Sequence, residues 1–257
     1  DSYWTLFNNP GQDSLIMQGI TTIIAGICGS SLAPLSGKEA IKTIQKWHDL
    51  SGSNINWVTF KEFGEALSKL KLGVNVGSLI GHATLRRGLL GDEIRQVSGM
   101  EQKMMEKLLE TGLEEGALGM SLGLIYAHEV NSSREELIGL ISKLSKYKKY
   151  LSVHLRSEAS HILEAIDESI DLSRETGVSL KISHLKIRGQ KNWPQFDYVM
   201  SKLENAYHQG VNVSFDVYPY DTSWSVLYTY LPKWVYEQGR AGILKHLSNP
   251  LDRRKII

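Results

Sequence analysis

Val178-Ser179-Leu180-Lys181-Ile182-Ser183-His184-Leu185-Lys186 reads as a buried parallel strand that ends in a histidine and a lysine. Upstream, Tyr150-Leu151-Ser152-Val153 runs into His154-Leu155-Arg156, a near copy of that arrangement. Between the two, Ala159, Ile162, Ile166 and Ile170 recur at helical spacing, charged residues fill the other face, and Gly177 supplies a stop. Strand, helix and strand over about thirty residues make one βαβ crossover, so the two strands run the same way, roughly 4.8 Å apart. Both histidines then stand at the same end of neighbouring strands, where two imidazole nitrogens can sit about 2.0 to 2.1 Å from one zinc ion. From the pair alone, a metal site and two unrelated strand-end histidines are equally good readings.

Working outward, Ile20-Thr21-Thr22-Ile23-Ile24-Ala25-Gly26-Ile27-Cys28-Gly29 is β-branched and apolar, which predicts a strand buried on both faces and ending in Cys28. Val74-Asn75-Val76-Gly77-Ser78-Leu79 predicts a second, running out towards His82 and Arg86. Residues 118–126 and 211–220 predict two more. Helices are predicted between them. One covers 38–51, with Ile41, Ile44 and Trp47 on one face, and another 60–70. Ser98 with Glu101, and Ser133 with Glu136, form capping boxes for two further helices, the latter carrying Leu137, Leu140, Ile141 and Leu144. Pro194 opens a last one, with Phe196, Val199, Leu203 and Tyr207 inward and Gly210 closing it.

Strands alternating with helices fit either a closed (β/α)8 barrel or an open doubly wound sheet. A doubly wound sheet usually carries a glycine-rich phosphate loop after an early strand, and Gly26-Ile27-Cys28-Gly29 is not one. Cys28, His82, His154, Arg156, His184, Lys186, Asp216 and Tyr218 all fall at the C-terminal ends of strands, where a barrel builds its active site. The expected fold is therefore α/β, a TIM-type barrel with about six of its eight strands present, the first and last missing. Residues 1–222 are expected to hold this partial barrel, strands two to seven, and residues 223–257 to begin an inserted lid.

The chain has 257 residues and a net charge of +1, enough for one large domain or slightly less and without an electrostatic case for nucleic acid. Asp252-Arg253-Arg254-Lys255 is too short for a binding tail and reads as a solvated helix face. A single cysteine, Cys28, excludes an intramolecular disulfide and fits a reducing, cytoplasmic compartment. No run of about eighteen apolar residues predicts a membrane span. The first residue is Asp rather than Met, and both ends read as cut, which would leave any signal peptide out of sight.

Gly19-Ile20-Thr21-Thr22 with Cys28-Gly29-Ser30-Ser31-Leu32-Ala33-Pro34, then Gly81-His82-Ala83-Thr84-Leu85-Arg86, Gly116-Ala117-Leu118-Gly119-Met120-Ser121, His154-Leu155-Arg156, Ser183-His184-Leu185-Lys186 and Asp216-Val217-Tyr218-Pro219-Tyr220 resemble the N-acyl-D-amino-acid deacylases (D-aminoacylases) of the amidohydrolase superfamily. The blocks follow that family's order along nearly the whole chain. The resemblance implies a barrel hydrolase with one or two zinc ions, held by Cys28, His154 and His184, that cuts the linear amide of a small N-acyl-D-amino acid. Thiolate and imidazole are ligands that zinc prefers. Lys186 and Tyr218 correspond to residues that grip the substrate's α-carboxylate; Arg156 would assist binding or brace the site. Asp216 resembles a structural aspartate, and His82 and Arg86 match a block near the rim, with His82 and Asp216 expected behind the ligands. Two departures stand out. The family's His-x-His pair is absent and would precede Asp1, and the aspartate that transfers the proton would lie beyond Ile257. Tyr126-Ala127-His128-Glu129-Val130 also departs from the family at the pocket's border. Trp224, Tyr228, Tyr230, Trp234 and Tyr236 would form the lid's own core or line an acyl pocket. Competing readings are a cyclic-amide hydrolase resembling dihydroorotase or hydantoinase, a non-catalytic metal-binding barrel remnant, and, if the Cys28 set were accidental, a phosphate-sugar barrel enzyme.

Overall fold

The computed structural model describes residues 2–45 and 54–256. Its strands are β1 (Thr22–Ala25), β2 (Asn75–Ser78), β3 (Ile80–Gly81), β4 (Gly119–Gly123), β5 (Tyr150–His154), β6 (Leu180–Ile182) and β7 (Val213–Phe215). Every pairing is parallel: β1 with β2, then β3, β4, β5, β6 and β7 side by side in chain order. This is an α/β fold. The strand predicted over 74–79 is interrupted where Leu79 N–H turns to the Ala25 carbonyl at 2.9 Å, while Leu118 N–H reaches the Ser78 carbonyl at 2.9 Å. Those two bonds stitch the smaller ladder to the larger.

The βαβ unit forms as its periodicity requires. Helix Ile162–Thr176 buries Ile162, Ala165, Ile166 and Ile170 and ends at Gly177, whose φ of +67° is cheap only for glycine. Leu151 pairs with Leu180 and Val153 with Ile182. Those four side chains are buried, so a shift of one residue would turn them all to the opposite face. The register fixes His154, the last residue of β5, beside the turn that carries His184.

Two expectations need correction, and a third is described only in part. β1 is not buried on both faces: only Ala25 is buried and Ile24 is 38% exposed, because β1 pairs along one edge and no described layer covers its outer face. Pro194 lies in a 3-10 turn, Gln190–Gln195, so helix Phe196–His208 starts after it; Val199, Leu203 and Ala206 face inward while Phe196 and Tyr207 are exposed. The helix predicted over 38–51 is described as Lys42–Gln45, with Ile44 buried; Trp47 lies outside the described residues.

The capping boxes divide. Ser98 and Glu101 cap helix Gly99–Glu114 reciprocally, and Thr59 and Glu62 do the same for helix Phe60–Ser68. For helix Arg134–Lys146, Ser133 accepts the Glu136 N–H at 3.2 Å, but the Glu136 side chain does not reach back. It turns inward, 2.8 Å from His82 Nε2 and 2.5 Å from Arg86 Nη1. His82 directly follows β3, at a strand end as expected, and is also the first residue of helix His82–Leu90, fully buried, with Nδ1 2.9 Å from Glu129 Oε2. Neutral imidazole has one N–H, so two ring nitrogens that both face carboxylates are satisfied only as imidazolium. Burial alone would lower the His82 pKa, yet Glu129 and Glu136 hold it above the ordinary value. Burial pushes the Glu136 carboxyl up, but the hydrogen bond from His82 and the charges of His82 and Arg86 bring it to about 2.

Two outcomes follow from this packing. Leu140, completely buried on the inner face of helix Arg134–Lys146, should cost about 2–5 kcal/mol when cut to alanine, measured by urea unfolding; a loss below about 1 kcal/mol would mean the site collapses freely. The ordinary Glu136 carboxyl value of 4.5 lies above its folded value of about 2, so its contribution is complete above pH 4.5 and is lost as pH falls through 2. Glu136→Gln should therefore flatten the acid limb of the stability-versus-pH curve, and an unchanged limb would contradict the assignment.

Candidate metal centre

Two of the three candidate ligands sit on backbone that ordinary residues avoid. Cys28 has φ +56° and His184 φ +41°. For non-glycine residues this left-handed region costs on the order of 1–3 kcal/mol and persists only where the surroundings impose it. Around Cys28 they do so through hydrogen bonds. Gly29 N–H donates to Ser121 Oγ at 3.0 Å, Ser121 Oγ donates to the Gly26 carbonyl at 2.5 Å, and Gly81 N–H donates to Ser31 Oγ at 2.9 Å. Around His184, Asp216 does the same work. Its Oδ1 accepts the His184 N–H, its carbonyl accepts the Leu185 N–H at 2.8 Å, and its Oδ2 pairs with Lys181 Nζ at 2.5 Å. Burial raises the Asp216 pKa, but the Lys181 pair and the His184 amide bring it below the usual carboxylate range.

These turns bring together a thiol and two imidazoles from three strand ends. One donor atom from each of Cys28, His154 and His184 lies within 4.8 Å of the others, and Cys28 Sγ is 3.3 Å from His184 Nε2. The two imidazole rings stand nearly perpendicular with centroids 4.4 Å apart, and the Tyr126 ring packs 5.0 Å from His154. Donors on one tetrahedral zinc are about 3.3–3.8 Å apart, given Zn–S near 2.3 Å and Zn–N near 2.0 Å, so the set needs shifts of about 1 Å or less. The donor chemistry and the spacing both fit a zinc ion.

A cavity of about 310 Å³ opens over the three residues, walled by Tyr126, Glu158, Lys186, Arg188, Tyr218, Tyr220 and Trp224 among others. Glu158 is the member that sequence reasoning missed. It is buried, with Oε1 2.5 Å from Lys186 Nζ, 3.2 Å from His184 Nδ1 and 3.6 Å from His154 Nε2. Burial pushes its carboxyl up, but the His184 hydrogen bond and the charges of His154 and Lys186 hold it at about 2. Its spacing was the available signal: the acid lies four residues beyond a candidate ligand, just past the strand that ends in His154.

The other sequence candidates separate. Lys186 lines the cavity with its ammonium spent on Glu158, and it lies 5.6 Å from the Tyr218 ring. Tyr218 lines the same wall. Arg156 is outside it: Nε and Nη2 donate to Glu168 and Nη1 to the Val130 carbonyl, which braces a neighbouring cavity of about 950 Å³. Asp216 stands behind His184, and His82 belongs to the buried ion chain rather than to the ligand set. Of the aromatics expected in a lid, Trp224 lines the cavity over Cys28, His154 and His184, while Tyr230 and Tyr236 line the larger one. No helix among the described residues is long and apolar enough to cross a membrane.

No family model matches the chain. A D-aminoacylase of Alcaligenes xylosoxydans xylosoxydans is 32% identical over 205 residues, 80% of this chain and 42% of that protein. An N-acyl-D-glutamate deacylase of the same organism is 33% identical, over 85% of this chain and 44% of its own length. A solved D-aminoacylase described as having a binuclear metal centre superposes with a TM-score of 0.79 at 30% identity, covering 85% of this chain and 46% of that one. An N-acyl-D-glutamate deacylase from Bordetella bronchiseptica, solved with zinc and a phosphonate mimic of the tetrahedral intermediate, superposes at 0.76 with 30% identity over 84% of this chain and 45% of that one. The chain thus spans less than half the length of the relatives it matches. Within that span, sequence and fold are both similar to those of D-aminoacylases and N-acyl-D-amino-acid deacylases.

Proposed function

We propose that the protein containing this chain hydrolyses the linear amide of N-acyl-D-amino acids, releasing a carboxylic acid and a D-amino acid, at zinc held by Cys28, His154 and His184. The observation that carries the reading is the convergence of one thiol and two imidazoles within 4.8 Å at the mouth of a parallel array. The array is read as strands two to seven of a (β/α)8 barrel, with residues 223–257 entering a lid. One zinc suffices for the chemistry, and the relative with a binuclear centre allows for a second.

The chemistry that zinc supplies when bound is Lewis acidity, acidifying a water and polarising the amide carbonyl. The residues of this chain bind, orient and exclude. Asp216 holds the His184 backbone in its left-handed turn, which aims the ring at Cys28. Glu158 accepts from Lys186 and lies within 3.2 Å of His184 Nδ1, a carboxylate behind an imidazole that fixes the ring's orientation. Because Glu158 offsets the Lys186 charge, a substrate carboxylate on this wall meets Lys186 together with Arg188 and the Tyr218 hydroxyl, not an isolated ammonium. Both Asp216 oxygens are engaged, which supports reading it as a brace rather than as the proton-transfer group.

Metal analysis after dialysis should find about one zinc per chain, lost in Cys28→Ala and in His184→Ala while circular dichroism is retained; a metal-free wild type, or variants that keep the ion, would end the reading. In the complete protein, N-acetyl-D-methionine should be hydrolysed in preference to its L-isomer. Either substitution should cut that rate by more than about 100-fold, beyond what outer residues usually cost. Wild-type turnover in both variants would contradict the ligand assignment, and preference for a ring-opening substrate would contradict the reaction.

A further inference from the structure

The chain Glu129, His82, Glu136 and Arg86 is buried from end to end and takes no part in the pocket. Stability alone is a poor reason for it. Replacing a buried ion pair by apolar residues of similar volume is often neutral or favourable, so such a chain calls for another use. Its position supplies one.

At one end, Arg86 reaches Glu136 and the Arg95 carbonyl, which ties the chain to helix His82–Leu90 and helix Arg134–Lys146. At the other end, the Glu129 carboxylate is wedged between two loops of the metal centre. Oε2 accepts the Gly123 N–H at 2.9 Å, and Gly123 lies so close to the Cys28 carbonyl that a side chain there would collide with it. Oε1 lies against Gly29, where a Cβ would overlap it, and Gly29 follows Cys28 directly. Glu129 also donates its own N–H to the Tyr126 carbonyl at 2.8 Å, and the Tyr126 ring packs on His154. One carboxylate therefore touches the turn that presents the thiol and the turn that covers one imidazole. His82 holds that carboxylate at a fixed distance from two helices.

We infer that Glu129 is a positioning residue for the metal centre, and that the chain through His82, Glu136 and Arg86 sets where the Cys28 thiol stands relative to the two imidazoles. The inference rests on the zinc reading above and adds to it a requirement on residues that touch no ligand side chain.

The test measures zinc affinity of the full chain by competition with a chromophoric chelator. Glu129→Ala should weaken binding by about 10-fold or more. Glu129→Gln, which keeps an acceptor for the Gly123 N–H, should recover most of that loss. Glu129→Asp keeps the charge but withdraws it by one methylene; it should show an intermediate loss and serves if the alanine variant does not fold. Leu140→Ala is the control, since it should lower the melting temperature without moving zinc affinity. Wild-type affinity in both Glu129→Ala and Glu129→Asp would overturn the inference, as would an equal loss in Leu140→Ala. A wild type that binds no zinc would overturn the metal reading itself, which is a separate failure.

Discussion

A cysteine after β1, the histidine that ends β5 and a histidine after β6 can share one ion only if the turns at Cys28 and His184 take backbone that ordinary side chains avoid, and that constraint shapes the whole rim. Cys28 and His184 pay for convergence with left-handed backbone. The cost, on the order of 1–3 kcal/mol for each, is offset by fixed partners: Ser121 and Ser31 around the first turn, Asp216 around the second. The partners belong to β4, to the segment beyond β1 and to the segment beyond β7. The strain is therefore spread over the array rather than stored in one loop.

Electrostatics repeats the pattern. Glu158 and Asp216 are both held in the charged form against burial, each by a cation and a hydrogen bond from the His184 residue. A buried carboxylate without partners would protonate and could no longer orient an imidazole. With Lys186 and Lys181 in place, both stay ionised, and Glu158 shares the wall of the pocket with Lys186, Arg188 and Tyr218.

Much of this was legible in the residues, for identifiable reasons. The βαβ unit could be read because apolar spacing changes from two to nearly four and back, and Gly177 marks the change; Cys28, His154 and His184 could be read because each ends an apolar run. What could not be read depends on contacts between distant segments. Ser133 and Glu136 look like a capping box from spacing alone, and nothing local reveals that the glutamate is claimed by His82 and Arg86, some fifty residues away. Glu158 offers only its spacing from His154 as a signal until Lys186 folds onto it. β1 was misread because its apolar sequence reports what could be covered, not what is covered in this chain.

The most direct check on the account is the zinc K-edge X-ray absorption spectrum of the metal-loaded chain. It should fit one sulfur at about 2.3 Å and imidazole nitrogens at about 2.0 Å in a four-coordinate shell. A first shell of nitrogen and oxygen alone, with no sulfur scattering, would mean that Cys28 does not meet the histidines on a common ion and would contradict it.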